Sequence, residues 1–87
     1  MKILFSEPFK KDYNGLSTEV QEALDKALDF LIINPRYPSL RAKKLPQTSI
    51  WYARITRGYR FTFQFNNNMI TLRRVGTHSI LDKERKS

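Results

Sequence analysis

The sequence predicts a small α+β domain, and two periodicities predict it. Between Val20 and Ile32 apolar residues recur every three or four positions, the spacing of one helix face. Between Ile50 and Leu72 they recur at every second position, the spacing of one strand face. Helix signals come first and strand signals come after, which favours helices packed on one face of an antiparallel sheet. The 87 residues suit a single domain spanning 1–87, and no linker, repeat or low-complexity tract divides them.

Lys2 to Phe5 is a short β-rich run that Pro8 closes, a first strand. A short helix over Phe9 to Asn14 comes next, ended by Gly15. The second helix begins at Ser17 or Thr18, where Thr18 and Gln21 have capping-box spacing. Val20, Ala23, Leu24, Ala27, Leu28, Leu31 and Ile32 form its apolar face, with Glu19, Glu22, Asp25, Lys26 and Asp29 largely opposite. Asn34 and Pro35 stop it. Residues Pro35 to Gln47 carry three prolines and four basic side chains and read as a structured loop.

A three-stranded meander completes the chain. Ile50 to Arg57 alternates, with Trp51, Ala53 and Ile55 on one side and Tyr52, Arg54 and Thr56 on the other. After a turn at Gly58, Tyr59, Phe61, Phe63 and Phe65 alternate with Arg60, Thr62 and Gln64. Asn66 to Asn68 makes the next turn, because asparagine tolerates left-handed backbone angles. Met69 to Val75 is the last strand, with Ile70 and Leu72 inward. The apolar face, Trp51 included, is expected to bury against the helices, leaving Tyr52, Arg54, Arg60, Thr62, Thr71 and Arg73 outside.

The charge pattern points to the ligand. The formal net charge is +8, and every acid lies at an end, in Glu7 to Asp29 or in Asp82 and Glu84. Between them stand Arg36, Arg41, Lys43, Lys44, Arg54, Arg57, Arg60, Arg73 and Arg74 with no carboxylate. A surface built only for solubility mixes both signs, whereas a one-sign field attracts a polyanion, RNA above all. The plainer reading is a solvated basic surface. The absence of cysteine excludes disulfides and thiolate metal sites and suits the cytoplasm. The start of the chain reaches Glu7 and Pro8 too soon for a signal peptide, and its longest apolar run, Phe30 to Ile33, is far too short to span a membrane.

Leu40-Arg-Ala-Lys-Lys-Leu45, Arg54-Ile-Thr-Arg-Gly-Tyr-Arg-Phe-Thr-Phe63 and Leu72-Arg-Arg-Val-Gly-Thr-His-Ser-Ile-Leu81 occur in an order that resembles the RelE/ParE superfamily of bacterial toxins. The resemblance implies a RelE-like fold and a messenger-RNA endonuclease acting on the ribosome. The second stretch is similar to the family's Gly-Tyr-Arg, which makes Arg60 the residue on the scissile phosphate. The third resembles the YafQ branch, which makes His78 catalytic. RelE itself uses lysines in the second strand and a tyrosine in the tail; here those places hold Tyr52, Arg54, Ile80 and Leu81. The further loop histidines and acids of the YafQ branch are absent.

The chemistry is compatible with these residues. RNA carries its own nucleophile, the 2′-hydroxyl, so catalysis needs proton transfer and charge stabilisation, with no metal and no small-molecule cofactor. His78 is the single side chain whose ordinary pKa lies near neutrality. As a lone histidine it also reads as merely structural or exposed. Arg60 offers a planar fork to phosphate oxygens, Arg54 assists it, and Arg57, Arg73 and Arg74 are secondary phosphate contacts. Lys43 and Lys44 would hold the flanking backbone. Tyr52 either stacks on a base or packs. An acidic cognate antitoxin is expected to cover the arginines and displace the tail carrying His78. Two alternatives remain: a ParE-like inhibitor of DNA gyrase, and a module that binds RNA without cutting it. The RNase reading requires Arg54, Arg60 and Arg73 on one open surface beside His78.

Overall fold

The computed structural model describes residues 2–85. Strands β1 (Lys2–Phe5), β2 (Lys43–Lys44), β3 (Trp51–Thr56), β4 (Tyr59–Asn66) and β5 (Met69–Thr77) and helices α1 (Glu7–Asn14), α2 (Thr18–Ile33) and α3 (Ser79–Arg85) compose it. The strands form one sheet in the order β1-β5-β4-β3-β2. The expected meander is its centre, and β1 joins it in parallel on β5. Among the described residues, no helix is long and apolar enough to cross a membrane.

Local chemistry explains the helix boundaries. Ser6 caps α1 by accepting from the Phe9 N–H at 3.2 Å, and Pro8 sits in the first turn, where its missing N–H costs nothing. The helix therefore starts at Glu7, two residues before the expected Phe9. Ser17 caps α2, accepting from the Val20 N–H at 3.3 Å. The anticipated Thr18–Gln21 box does not form, because Gln21 Nε2 instead donates to the Tyr13 carbonyl at 2.8 Å and ties α2 to α1.

Phe9 of α1 and Leu24, Ala27, Leu28 and Leu31 of α2 pack on Ala53, Phe61, Phe63, Ile70, Leu72 and Val75 of the sheet. Each large side chain so buried contributes about 1.5 to 3 kcal/mol before entropy is counted. Ile32, expected in this face, is 48% exposed, and Phe30 packs inward instead, stacked on Tyr37. The loop after α2 holds a 3-10 turn at Pro38–Leu40, which buries Leu40, and then the two-residue β2.

The other face is not open throughout. The tail folds back as α3, and Ile80 and Leu81 join Leu45, Ile50 and Tyr52 in a second small core. Gly76 permits this approach: a Cβ there would stand 3.0 Å from Ile80 Cγ2. Helices α1 and α2 occupy the expected face, and α3 covers part of the opposite one.

Strand β5 carries a bulge that decides the electrostatics. Its register with β4 shifts between Thr62 and Phe63, so that Arg73 and Arg74 together oppose Thr62. The fully buried Thr62 hydroxyl accepts the Arg74 N–H at 3.0 Å. Beyond β1 the free edge of β5 is closed by α1: the Ser6 hydroxyl donates to the Arg73 carbonyl and the Val75 N–H donates to Asp12.

Candidate nucleic-acid interface

Two of the expected phosphate contacts are neutralised within the fold. Arg73 Nε donates to Glu84 Oε2 at 2.7 Å, and its Nη1 donates to Gln64 at 3.0 Å. Glu84 is buried on the inner side of α3. Arg74 Nε donates to Asp12 Oδ2 at 2.7 Å, and that hydrogen bonding raises the guanidinium pKa above its ordinary value. The expectation of arginines without acidic partners is therefore corrected for Arg73 and Arg74. Acids from the two ends of the chain reach the middle through space.

Arg54 and Arg60 behave oppositely. They face one another across the β3–β4 pair, a like-charge arrangement that costs stability. Burial first, and then the charges of Arg54 and Arg41, lower the Arg60 pKa, with Tyr52 opposing them. Arg41 stands two residues before β2, outside the ladder, and its charge still reaches Arg60. Arg41, Arg54 and Arg60 thus come near one another from three chain segments, and among the described residues no carboxylate hydrogen-bonds to any of them. Arg41 belongs to the basic stretch of the sequence, but nothing there singles it out as a site residue. Loops have no periodicity that would have placed it.

One nitrogen of Arg60 braces the turn it belongs to. Nη1 donates to the carbonyls of Thr56 at 2.7 Å, Tyr59 at 2.8 Å and Arg57 at 3.3 Å. Nε and Nη2 make no hydrogen bond to the described residues, so one edge of the fork remains for a phosphate. Turn residue Arg57 is exposed, and its carbonyl is the most distant of the three that hold Arg60.

On β5, Gly76 lies opposite Arg60. His78 lies two residues further, about 7 Å along an extended chain. It stands exposed at the corner before α3, its carbonyl accepting the Leu81 N–H at 3.0 Å. The imidazole hydrogen-bonds to none of the described residues. Tyr52 is half-buried against the second core yet close enough to influence Arg60. Lys43 opposes Tyr52 and shares the arginine face, whereas Lys44 opposes Trp51 and points to the helix side. The two lysines, expected to act together, are separated by the sheet.

No protein-family model matches the sequence, and no curated protein matches it. Solved structures do match. The YoeB/ParE toxin from Agrobacterium tumefaciens superposes with a TM-score of 0.76 at 16% identity, over 90% of this chain and 99% of that one. YafQ from E. coli gives 0.75 at 17% identity, covering 92% and 96% of the two chains. The RelB-RelE antitoxin-toxin complex from Methanococcus jannaschii gives 0.70 at 19% identity, covering 93% and 96%. The chain has the fold these toxins share, as its motifs led one to expect.

Proposed function

We propose that this chain is the toxin of a toxin-antitoxin pair and a metal-independent endoribonuclease that cuts messenger RNA on the ribosome, in the cytoplasm. The observation that carries this reading is the Arg54–Arg60 pair. Two guanidinium groups held opposite each other, with Arg41 alongside and no acid among them, gain most when a phosphate enters. The exposed His78 follows two residues after Gly76, which pairs with Arg60, and this supports a role for it beside that pair.

The geometry suits attack by the 2′-oxygen on the adjacent phosphorus. The 2′-O–P bond forms, the P–O5′ bond breaks, and the products are a cyclic phosphate and a 5′-hydroxyl. One proton leaves the 2′-oxygen and one reaches the 5′-oxygen, and His78 exchanges a proton with one of these two atoms. The free edge of Arg60, with Arg54, stabilises the extra negative charge of the transition state more than that of the ground state. Lys43 and Arg57 hold the strand on either side. Arg73 and Arg74 act on the fold instead, through Glu84 and Asp12.

Toxins of this fold have been solved with their antitoxins, as in the RelB-RelE and YoeB-YefM complexes. That supports an antitoxin partner for this chain, and the arginine pair is the surface that an acidic antitoxin would neutralise. Primer extension on messenger RNA in a translating extract tests the reading. Discrete cuts that need translation, and that vanish in His78→Ala, are expected. Intact RNA together with inhibited gyrase supercoiling would replace it with the ParE-like alternative.

A further inference from the structure

The helix side of the sheet carries a groove of about 710 Å³ that the cleavage chemistry does not use. The segment from the end of α2 through the 3-10 turn to Ala42 forms one wall, with Arg36, Tyr37 and Arg41; Trp51, Phe63 and Phe65 of the sheet form the other. Its volume lies within the usual range for a small-ligand site. Tyr37 and Phe65 are 38% and 37% exposed, unusual for large aromatics, and no acid lines the groove. Trp51 and Phe65 meet edge to face at 5.9 Å, and Tyr37 lies flat on Phe30 at 4.4 Å, so the rings are fixed in place.

Fixed aromatic faces beside guanidinium groups, in a groove that no described acid lines, match the chemistry of a single-stranded nucleotide, where a ring stacks on the base and a cation meets the phosphate. Arg41 supplies continuity. It lines the groove and also acts on the charge of Arg60 across the sheet edge. Its backbone is left-handed, with φ 49°, a conformation costly for arginine that surrounding structure must hold. We infer that this groove is a base-binding subsite: an RNA strand whose scissile phosphate lies at Arg54 and Arg60 turns around the β2 edge at Arg41 and stacks a flanking base between Tyr37 and the Trp51–Phe65 wall. The inference rests on the RNA reading proposed above and adds to it where a flanking base goes.

Trp51 is the only tryptophan, so its emission reports on this groove directly. The probe is a six-nucleotide single-stranded RNA made uncleavable by 2′-O-methyl groups, compared with an abasic oligomer of the same length and charge. The RNA quenches Trp51 and binds about 10-fold more tightly than the abasic oligomer, which leaves the emission unchanged. Tyr37→Leu, which keeps an apolar cover on Phe30, removes most of that preference without weakening the abasic oligomer. Equal binding of both oligomers with constant emission overturns the subsite. So does a spectral change that appears only with an acidic protein partner, which would make the groove a protein-docking surface. Because the RNA cannot be cut, quenching that persists while translated messenger stays intact would refute the nuclease and leave the subsite standing.

Discussion

Two arginine pairs that look alike in the sequence serve opposite ends. Arg73 and Arg74 sit at the β5 bulge, one held by Glu84 of α3 and the other by Asp12 of α1. Arg54 and Arg60 sit opposite each other in the β3–β4 hairpin with no carboxylate between them. Hydrogen bonding to Asp12 raises the Arg74 pKa, whereas burial and like charge lower that of Arg60. The first pair fastens helices to the sheet and the second stores repulsion that an anion relieves. Charge counted along a chain cannot separate these cases, since the deciding acids lie far away in sequence.

The largest effect expected from this difference is on catalysis. His78→Ala and Arg60→Ala each lower the cleavage rate by about 100-fold or more, the usual loss when one proton-transfer or charge-stabilising group goes. Arg60 also braces its turn, so Arg60→Lys and a thermal melt accompany it. A lysine variant with a normal melt and a low rate separates phosphate contact from bracing. Unchanged rates in all of these would dissolve the distinction between the pairs.

Stability provides the next test, now at the bulge. Glu84→Ala leaves the Arg73 guanidinium without its buried carboxylate and loosens α3, at a cost of about 2 kcal/mol in urea unfolding. Asp12→Ala costs a similar amount, about 2 kcal/mol, because the Val75 N–H and the Arg74 guanidinium lose their acceptor together. The double variant Arg73→Met with Glu84→Leu recovers much of the Glu84→Ala loss, since it removes both charges. A Glu84→Ala protein as stable as the wild type would mean that the ion pair braces nothing.

Arg54→Gln is expected to move stability the other way. Removing one of two facing cations stabilises the fold by about 0.5 kcal/mol while weakening RNA binding. The smallest effect belongs to Gly58. Its φ is not positive and a Cβ there would meet nothing within 4 Å, so Gly58→Ala should alter stability by less than about 0.5 kcal/mol. A large loss there would show that the hairpin turn demands the glycine after all.

Much of this was legible in the residues. The amphipathic run of α2 and the alternation of β3 and β4 reflect side-chain periodicity, and Asn67 does take a left-handed angle of φ 56°. Helix α3 was not legible, because seven residues with only Ile80 and Leu81 apolar carry no periodic signal. The bulge was hidden too, since a single extra residue flips the face of every later residue in the strand without changing composition. Missing it concealed the pairing of Arg74 with Asp12, 62 residues away. Of the expected site residues, Arg54, Arg60, Tyr52 and Lys43 share one face of the sheet, and His78 follows β5 two residues after Gly76, the partner of Arg60. Lys44 lies on the other face, and Arg73 and Arg74 are engaged by acids. Arg41 came near Arg60 only through the fold, because its loop has no repeat that would orient it.

The salt dependence of RNA binding tests the central contrast most directly. With an uncleavable single-stranded RNA, the slope of log Kd against log salt should fall by about 0.7 to 1 for Arg54→Gln, the signature of one lost phosphate contact. For Arg74→Gln, measured well below its melting temperature, the slope should stay that of the wild type. Equal losses in the two variants would contradict the division between binding arginines and bracing ones.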